Sequence, residues 1–269
     1  MRLSNRAGFT IIEVMVVAVI GALVLMTAYE TLRTNQRAMS VQAAQVSSEQ
    51  MMRTGVEFLF TELREVSGAG GDILAIDDDS IAVRVMRRFG LVCNVTYGSP
   101  NQILVRKVGN WFGAGDSLFV FADNDVSLST DDAWLAGVAG SVDTTASCAG
   151  QPAQRINLSG MTAAMAIDSV RAGGPVRSYR RVTYGLRNYG NEPYLGQMEP
   201  GQWFVPLVGP LTDYGTGLDF DYFDANGAPT INPANVARID LTLRTQSHVL
   251  TPNGTPVRDS VHATIFARN

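Results

Sequence analysis

Between Phe9 and Tyr29 the chain carries one charge, Glu13, in an otherwise apolar run. No other feature limits its folding as strongly. A run of that length spans a bilayer core as a helix, and inside lipid a helix satisfies its own backbone groups. Arg2 and Arg6 precede it, so the positive-inside bias keeps the first residues cytoplasmic and sends the remainder outward. A conventional secretory signal would have a shorter apolar core followed by a small-residue cleavage site. Met26-Thr27-Ala28-Tyr29-Glu30 offers no such site, and helix-compatible sequence simply continues. Glu13 is the anomaly. An ionisable group at the centre of a membrane helix costs roughly 2.5–3.5 kcal/mol and is a functional residue by default, although the cost falls near a helix end.

The helical pattern continues past the membrane-grade segment. Met52, Val56, Leu59, Leu63 and Val66 recur at steps of three and four, which places them on one helix face. Ser67-Gly68-Ala69-Gly70-Gly71 reads as a stop. A continuous helix from Phe9 to Val66 would reach about 87 Å, with Gly21 and Gly55 as the places where it is expected to bend or fray. After Gly71 the text turns to β-type runs: "SIAVRVMRR", "QILVRKV", "SLFVFA", "RRVTYGL", "GLDFDYF" and "VARIDLTLRT". In the last of these Ile239, Leu241 and Leu243 alternate with Arg238, Asp240, Thr242 and Arg244. Asp224-Ala225-Asn226-Gly227 is a turn signal, and "TPNGTP" precedes a final strand beginning at Asp259. The order predicts an α+β fold, a long N-terminal helix packed on an antiparallel β-sheet head. The stretch from about Asp123 to Pro175 gives no assignable pattern.

The residues around Glu13 resemble a known family. "AGFTIIEVMV" is similar to the class III signal of type IV pilins and pseudopilins: a short basic leader ending in glycine, then phenylalanine, then glutamate as fifth residue of the mature chain. The resemblance implies cleavage between Gly8 and Phe9 by a prepilin peptidase, N-methylation of Phe9 and retention of the apolar helix. It also implies that Glu13 sets register by pairing with the N-terminal amine of a neighbouring subunit. Removing Arg2 and Arg6 from the 21 basic residues leaves 19 against 25 acidic ones, a mature formal charge of -6. The size of the head, with "GLDFDYFDANG", "VARIDLTLRT" and the closing "FARN", resembles PilW-type minor pilins and pseudopilin J of type II secretion.

That family reading divides the chain into a leader (1–8), a transmembrane and filament-core helix (9–29), an amphipathic helix (30–67) and a β-rich head (71–269). The implied partners are the prepilin peptidase, other minor and major pilins or pseudopilins, an inner-membrane assembly platform and the membrane itself. The expected place is the bacterial inner membrane with an exported head, then a pilus or pseudopilus. Its expected work is initiation or tip assembly of a type IV pilus. The alternatives are a secretion pseudopilin and a stationary anchored binding protein or enzyme.

Other constellations point more weakly. Cys93 and Cys148 are the only cysteines; in an exported head they are expected to form a disulfide, two buried thiols being the alternative. Asp77, Asp78 and Asp79, and Asp123, Asp125, Asp131 and Asp132, crowd two loops but lack EF-hand spacing. They read as solvated turns, with no metal site. Arg171, Arg177, Arg180, Arg181 and Arg187 interleave with Tyr179, Tyr184 and Tyr189. Such a mixture can stack on single-stranded nucleic acid or meet surface glycans, but the acidic balance favours intramolecular pairing over nucleic acid. His262 and Asp259, three apart in a strand, are expected on opposite faces. With His248 the only other histidine and no phosphate loop or nucleophile motif, no catalytic residue, no cofactor and no enzymatic activity are expected.

Overall fold

A computed structural model describes residues 10–128, 132–160, 169–212, 217–251 and 253–268. One long helix, α1 (Ile11–Leu63), opens the chain. Its 53 residues extend about 80 Å at 1.5 Å per residue. Thr10 starts it with a capping box: its hydroxyl accepts from the Glu13 N–H, and the Glu13 carboxylate accepts from the Thr10 N–H. Two otherwise orphaned donors are thereby satisfied.

The helix passes through Gly21 and Gly55 without interruption. At Gly55 the missing side chain serves packing. A Cβ built there would lie 2.7 Å from Val208 Cγ2, so the bare backbone is what lets the sheet approach. The predicted apolar face is present: Met52, Leu59 and Leu63 are fully buried, Val56 partly so, and Ser48 and Gly55 join the stripe. The helix ends about one turn before Val66. Arg64 caps it through Phe60 O, and the glycine-rich turn that follows is closed by Gly71 N–H to Gly68 O and Asp72 N–H to Ser67 O, both 2.9 Å. Val66 is nevertheless buried, and its carbonyl accepts from Arg268 N–H at 2.8 Å. The two ends of the head are joined there.

The strands are β1 (Ile73–Asp77), β2 (Ser80–Thr96), β3 (Asn101–Val108), β4 (Ser117–Ala122), β5 (Ala133–Asp143), β6 (Ser147–Cys148), β7 (Gln151–Ser159), β8 (Pro175–Tyr189), β9 (Glu192–Met198), β10 (Val205–Val208), β11 (Leu218–Phe223), β12 (Arg238–Leu250) and β13 (Pro256–Phe266). All of the pairings are antiparallel. The α+β, pilin-like architecture expected from the sequence is the one observed. Near the helix, β1, the first half of β2, the second half of β8, β9 and β10 lie side by side, and β11-β12-β13 form a second sheet. Their apolar residues and the buried stripe of α1 make one core, which includes Ile81, Val83, Tyr184, Leu195, Phe220 and Leu241.

The remaining strands do something the sequence did not announce. The second half of β2 pairs with β3, then follow β7, β5, β4 and the first half of β8, which pairs back onto β2. The strands close into a ring around a second core that includes Ile103, Val105, Leu118, Leu135, Ile156 and Val176. One bulge lets β2 serve both cores. Its register shifts between Met86 and Arg88, and the extra residue, Arg87, moves burial from Ile81, Val83 and Val85 to Gly90 and Val92. The previously unassigned middle of the chain supplies β5, β6 and β7 to this ring and its rim.

Gly55→Leu is expected to destabilise the full chain in detergent by about 1–3 kcal/mol, the usual consequence of overpacking. Denaturant titration would read it as a lower midpoint with an unchanged slope.

Candidate assembly surface

The site is built by the half of α1 that its own head leaves uncovered. Residues 11–20 and 22–40 are exposed along their length, and sustained burial begins only at Ser48. Ile11 (83 % exposed), Ile12, Val17, Leu23 and Leu25 belong to an apolar surface that runs all round the helix. This helix is long and apolar enough to cross a membrane, by length and composition. Each such side chain, once removed from water, contributes about 1.5–3 kcal/mol. A surface of this kind is stable only in lipid or against other helices.

Glu13 stands at the start of that surface, in the first helical turn. Its Oε2 lies 3.3 Å from both the Thr10 N–H and the Thr10 hydroxyl. The carboxylate therefore sits at the positive end of the helix dipole, where negative charge is favoured. Gly8 and Phe9, the predicted cleavage and methylation residues, lie outside the described residues.

Cys93 on β2 and Cys148 on β6 are joined in a disulfide across a separation of 55 residues. The bridge ties β6, at the rim, to β2 of the ring.

The Arg–Tyr segment, which runs from the loop before β8 along that strand, is taken apart by the fold. Arg177 is buried and paired with Asp72, Nη2 to Oδ1 at 3.1 Å, while its guanidinium lies 4.7 Å from the Trp134 ring centre. Arg171 donates to the carbonyls of Asp123 and Asn124. Arg180 pairs with Glu199 at 3.2 Å. Tyr184 reaches the helix, donating to Glu62 Oε2 at 3.0 Å, and Glu62 also receives Arg87 at 3.3 Å. Burial first, and the Glu62 charge second, push the Tyr184 hydroxyl well above the ordinary tyrosine range. Tyr189 packs edge-on against Tyr194. These residues mostly hold the head together and do not form a continuous basic surface.

The acidic loops are turns. Asp125 Oδ1 accepts from the N–H and hydroxyl of Ser127, which holds its carboxyl below the usual range. Asp77 accepts from Asp78 N–H. Asp131 lies outside the described residues. Among the described residues no group of three or more His, Cys, Asp or Glu converges as a metal site. His262 Nδ1 bonds Thr242 Oγ1 at 2.8 Å on the exposed face of β13, with Asp259 on the other.

Residues 3–29 match the family described as the prokaryotic N-terminal methylation motif. That match supports a type IV pilin-like chain. The motif implies processing by a prepilin peptidase and association with other pilins, and with the apolar helix it fits an inner-membrane anchor. No curated protein matches this chain. Among solved structures, a mannose phosphorylase from Leishmania mexicana in complex with phosphate aligns over 81 % of this chain and 73 % of that one at 11 % identity, with a TM-score of 0.14. So low a score carries no argument.

Two sets of residues were not foreseen, the Asp72–Arg177 pair and the Glu62–Tyr184–Arg87 group. Their members lie far apart in the chain, and no local pattern marks them. Two outcomes follow from the pilin-like head. Asp72→Ala is expected to cost about 3–5 kcal/mol, because Arg177 is left as an uncompensated buried charge. Replacing both Cys93 and Cys148 by Ser is expected to cost about 2–4 kcal/mol. Thermal and denaturant unfolding of the full chain, with and without reductant, would check both.

Proposed function

We propose that the chain is a minor pilin that acts in initiation, or at the tip, of a type IV pilus. It is processed after Gly8, methylated at Phe9 and assembled through α1. The observation that carries this reading is the exposed apolar stretch of α1 from Ile11 to Tyr29, with Glu13 in its first turn, which lies within the matched motif. In the free chain Glu13 caps its own helix. In a filament core its carboxylate would receive the methylated amine of a neighbouring Phe9. Two opposite charges buried together are tolerable where either alone is costly, so the pair selects one axial register between helices. The ring of β2, β3, β7, β5, β4 and β8 enlarges the head, which favours a position where heads are not crowded on every side, such as the end of a fibre. Its work is packing rather than catalysis.

Intact-mass and N-terminal peptide analysis, with and without prepilin peptidase, tests the processing step. The expected mature chain starts at methylated Phe9 and disappears in the peptidase-free strain. A chain retaining Met1 in both strains would sink the proposal. Glu13→Ala is expected to leave cleavage intact and reduce incorporation into sheared filaments by about tenfold or more. Cross-linking to pilus subunits supports the pilus assignment, whereas cross-linking only to secretion pseudopilins replaces it with a pseudopilus role.

A further inference from the structure

β8 changes partner along one of its edges. That edge pairs with β4 up to Ser117 opposite Tyr179, and with β9 from Met198 opposite Thr183. Neither strand pairs with it over 180–182, because β4 turns into the ring while β9 stays with the helix-facing sheet. The parting strands leave a cleft of about 920 Å³. Tyr179, Arg180 and Arg181 line it from β8, Asp116 lies on the ring side, and Gln197 and Trp203 belong to the β9–β10 hairpin. Ligand sites are generally concave, with a few convergent polar groups on an apolar wall.

Trp203 is 91 % exposed. An indole is a large apolar face with one polar edge, and here it adds almost nothing to the folded core. The same cleft is lined by planar hydrogen-bonding groups, the amides of Gln197 and Gln202 and the guanidinium of Arg181. Much of the charge is internally answered, Arg180 by Glu199 at 3.2 Å and Asp116 by Arg88. A groove for single-stranded nucleic acid combines stacking aromatics with several uncompensated cations along a backbone track, whereas among the described residues this cleft offers a single such guanidinium, that of Arg181. What suits it is an uncharged ligand with one apolar face and many hydroxyls.

The geometry points to a neutral oligosaccharide site in this cleft, with a pyranose C–H face on the Trp203 indole and hydroxyls bonded by Gln197, Gln202 and Arg181. This gives the head a carbohydrate-contacting surface independent of α1 and of the assembly reading. The test uses the full chain in a sugar-free detergent, with chitotriose and maltotriose as probes and oligo-dT as the polyanion control. Tryptophan emission and titration calorimetry provide the readouts. At least one trisaccharide is expected to bind with a Kd of about 1 mM or tighter. Trp203→Ala is expected to weaken it by about tenfold, and Gln197→Ala to weaken it measurably. Trp111→Ala, outside the cleft, should leave it unchanged. Trp203 is exposed, so an unchanged thermal transition in its variant separates lost binding from lost folding. No binding of either sugar at about 10 mM, or binding indifferent to Trp203→Ala, overturns the site. Binding of oligo-dT alone overturns it in favour of nucleic acid.

Discussion

The structure depends on a helix that its own domain covers only in part. From Ser48 onward α1 lays Met52, Gly55, Leu59 and Leu63 into the head, and this stripe is part of the core that both sheets share. Up to Tyr29 the same helix has apolar residues on every side and no partner among the described residues, and from Glu30 to Ser47 it stays largely exposed but turns mostly polar. The two halves solve different problems with one backbone. An amphipathic half needs one covered face, whereas an all-round apolar half needs lipid or a bundle. The covered half fixes how the uncovered half leaves the head, so the geometry offered to a membrane or a filament is decided by packing tens of residues away.

The head achieves its size by using two strands twice. β2 and β8 contribute one end to the helix-facing sheet and the other to the closed ring. Such sharing makes the ring an extension of the pilin-like unit, not a separate body on a linker. The bulge at Arg87 corrects the alternation between the two cores, and Arg87 then pairs with Glu62 on α1. The Asp72–Arg177 pair spans the same junction, from the loop after α1 to the ring end of β8. Buried pairs of this kind contribute little net stability against an apolar alternative, yet breaking one is costly.

Much of the candidate assembly surface was legible because its signals are local. The lone Glu13, the preceding Arg2 and Arg6 and the long apolar run lie close together in the sequence. Glu13's bond to Thr10 is itself a three-residue contact. The amphipathic stripe was legible from its period, and most of the strands from their alternation. The ring was not. Its closure depends on β2 meeting β8, about a hundred residues away, and on β5 and β7, whose sequences carry little alternation. Gly55 was misread for a related reason: as a helix residue it looks weak, and only the position of Val208 makes its missing side chain useful.

By itself, then, the sequence determined a membrane-grade helix with a carboxylate near its start, an amphipathic continuation and an antiparallel head. Each of these follows from spacing over a few residues, where hydrogen-bonding periodicity and transfer free energy act. Only the tertiary structure decided that the head contains a closed ring, that Arg177 is buried on Asp72, and that the strands part beside Trp203. Those outcomes depend on which distant strands pair and in what register. A single-residue shift there exchanges a strand's buried face for its exposed one, and nothing within the strand alone chooses between them.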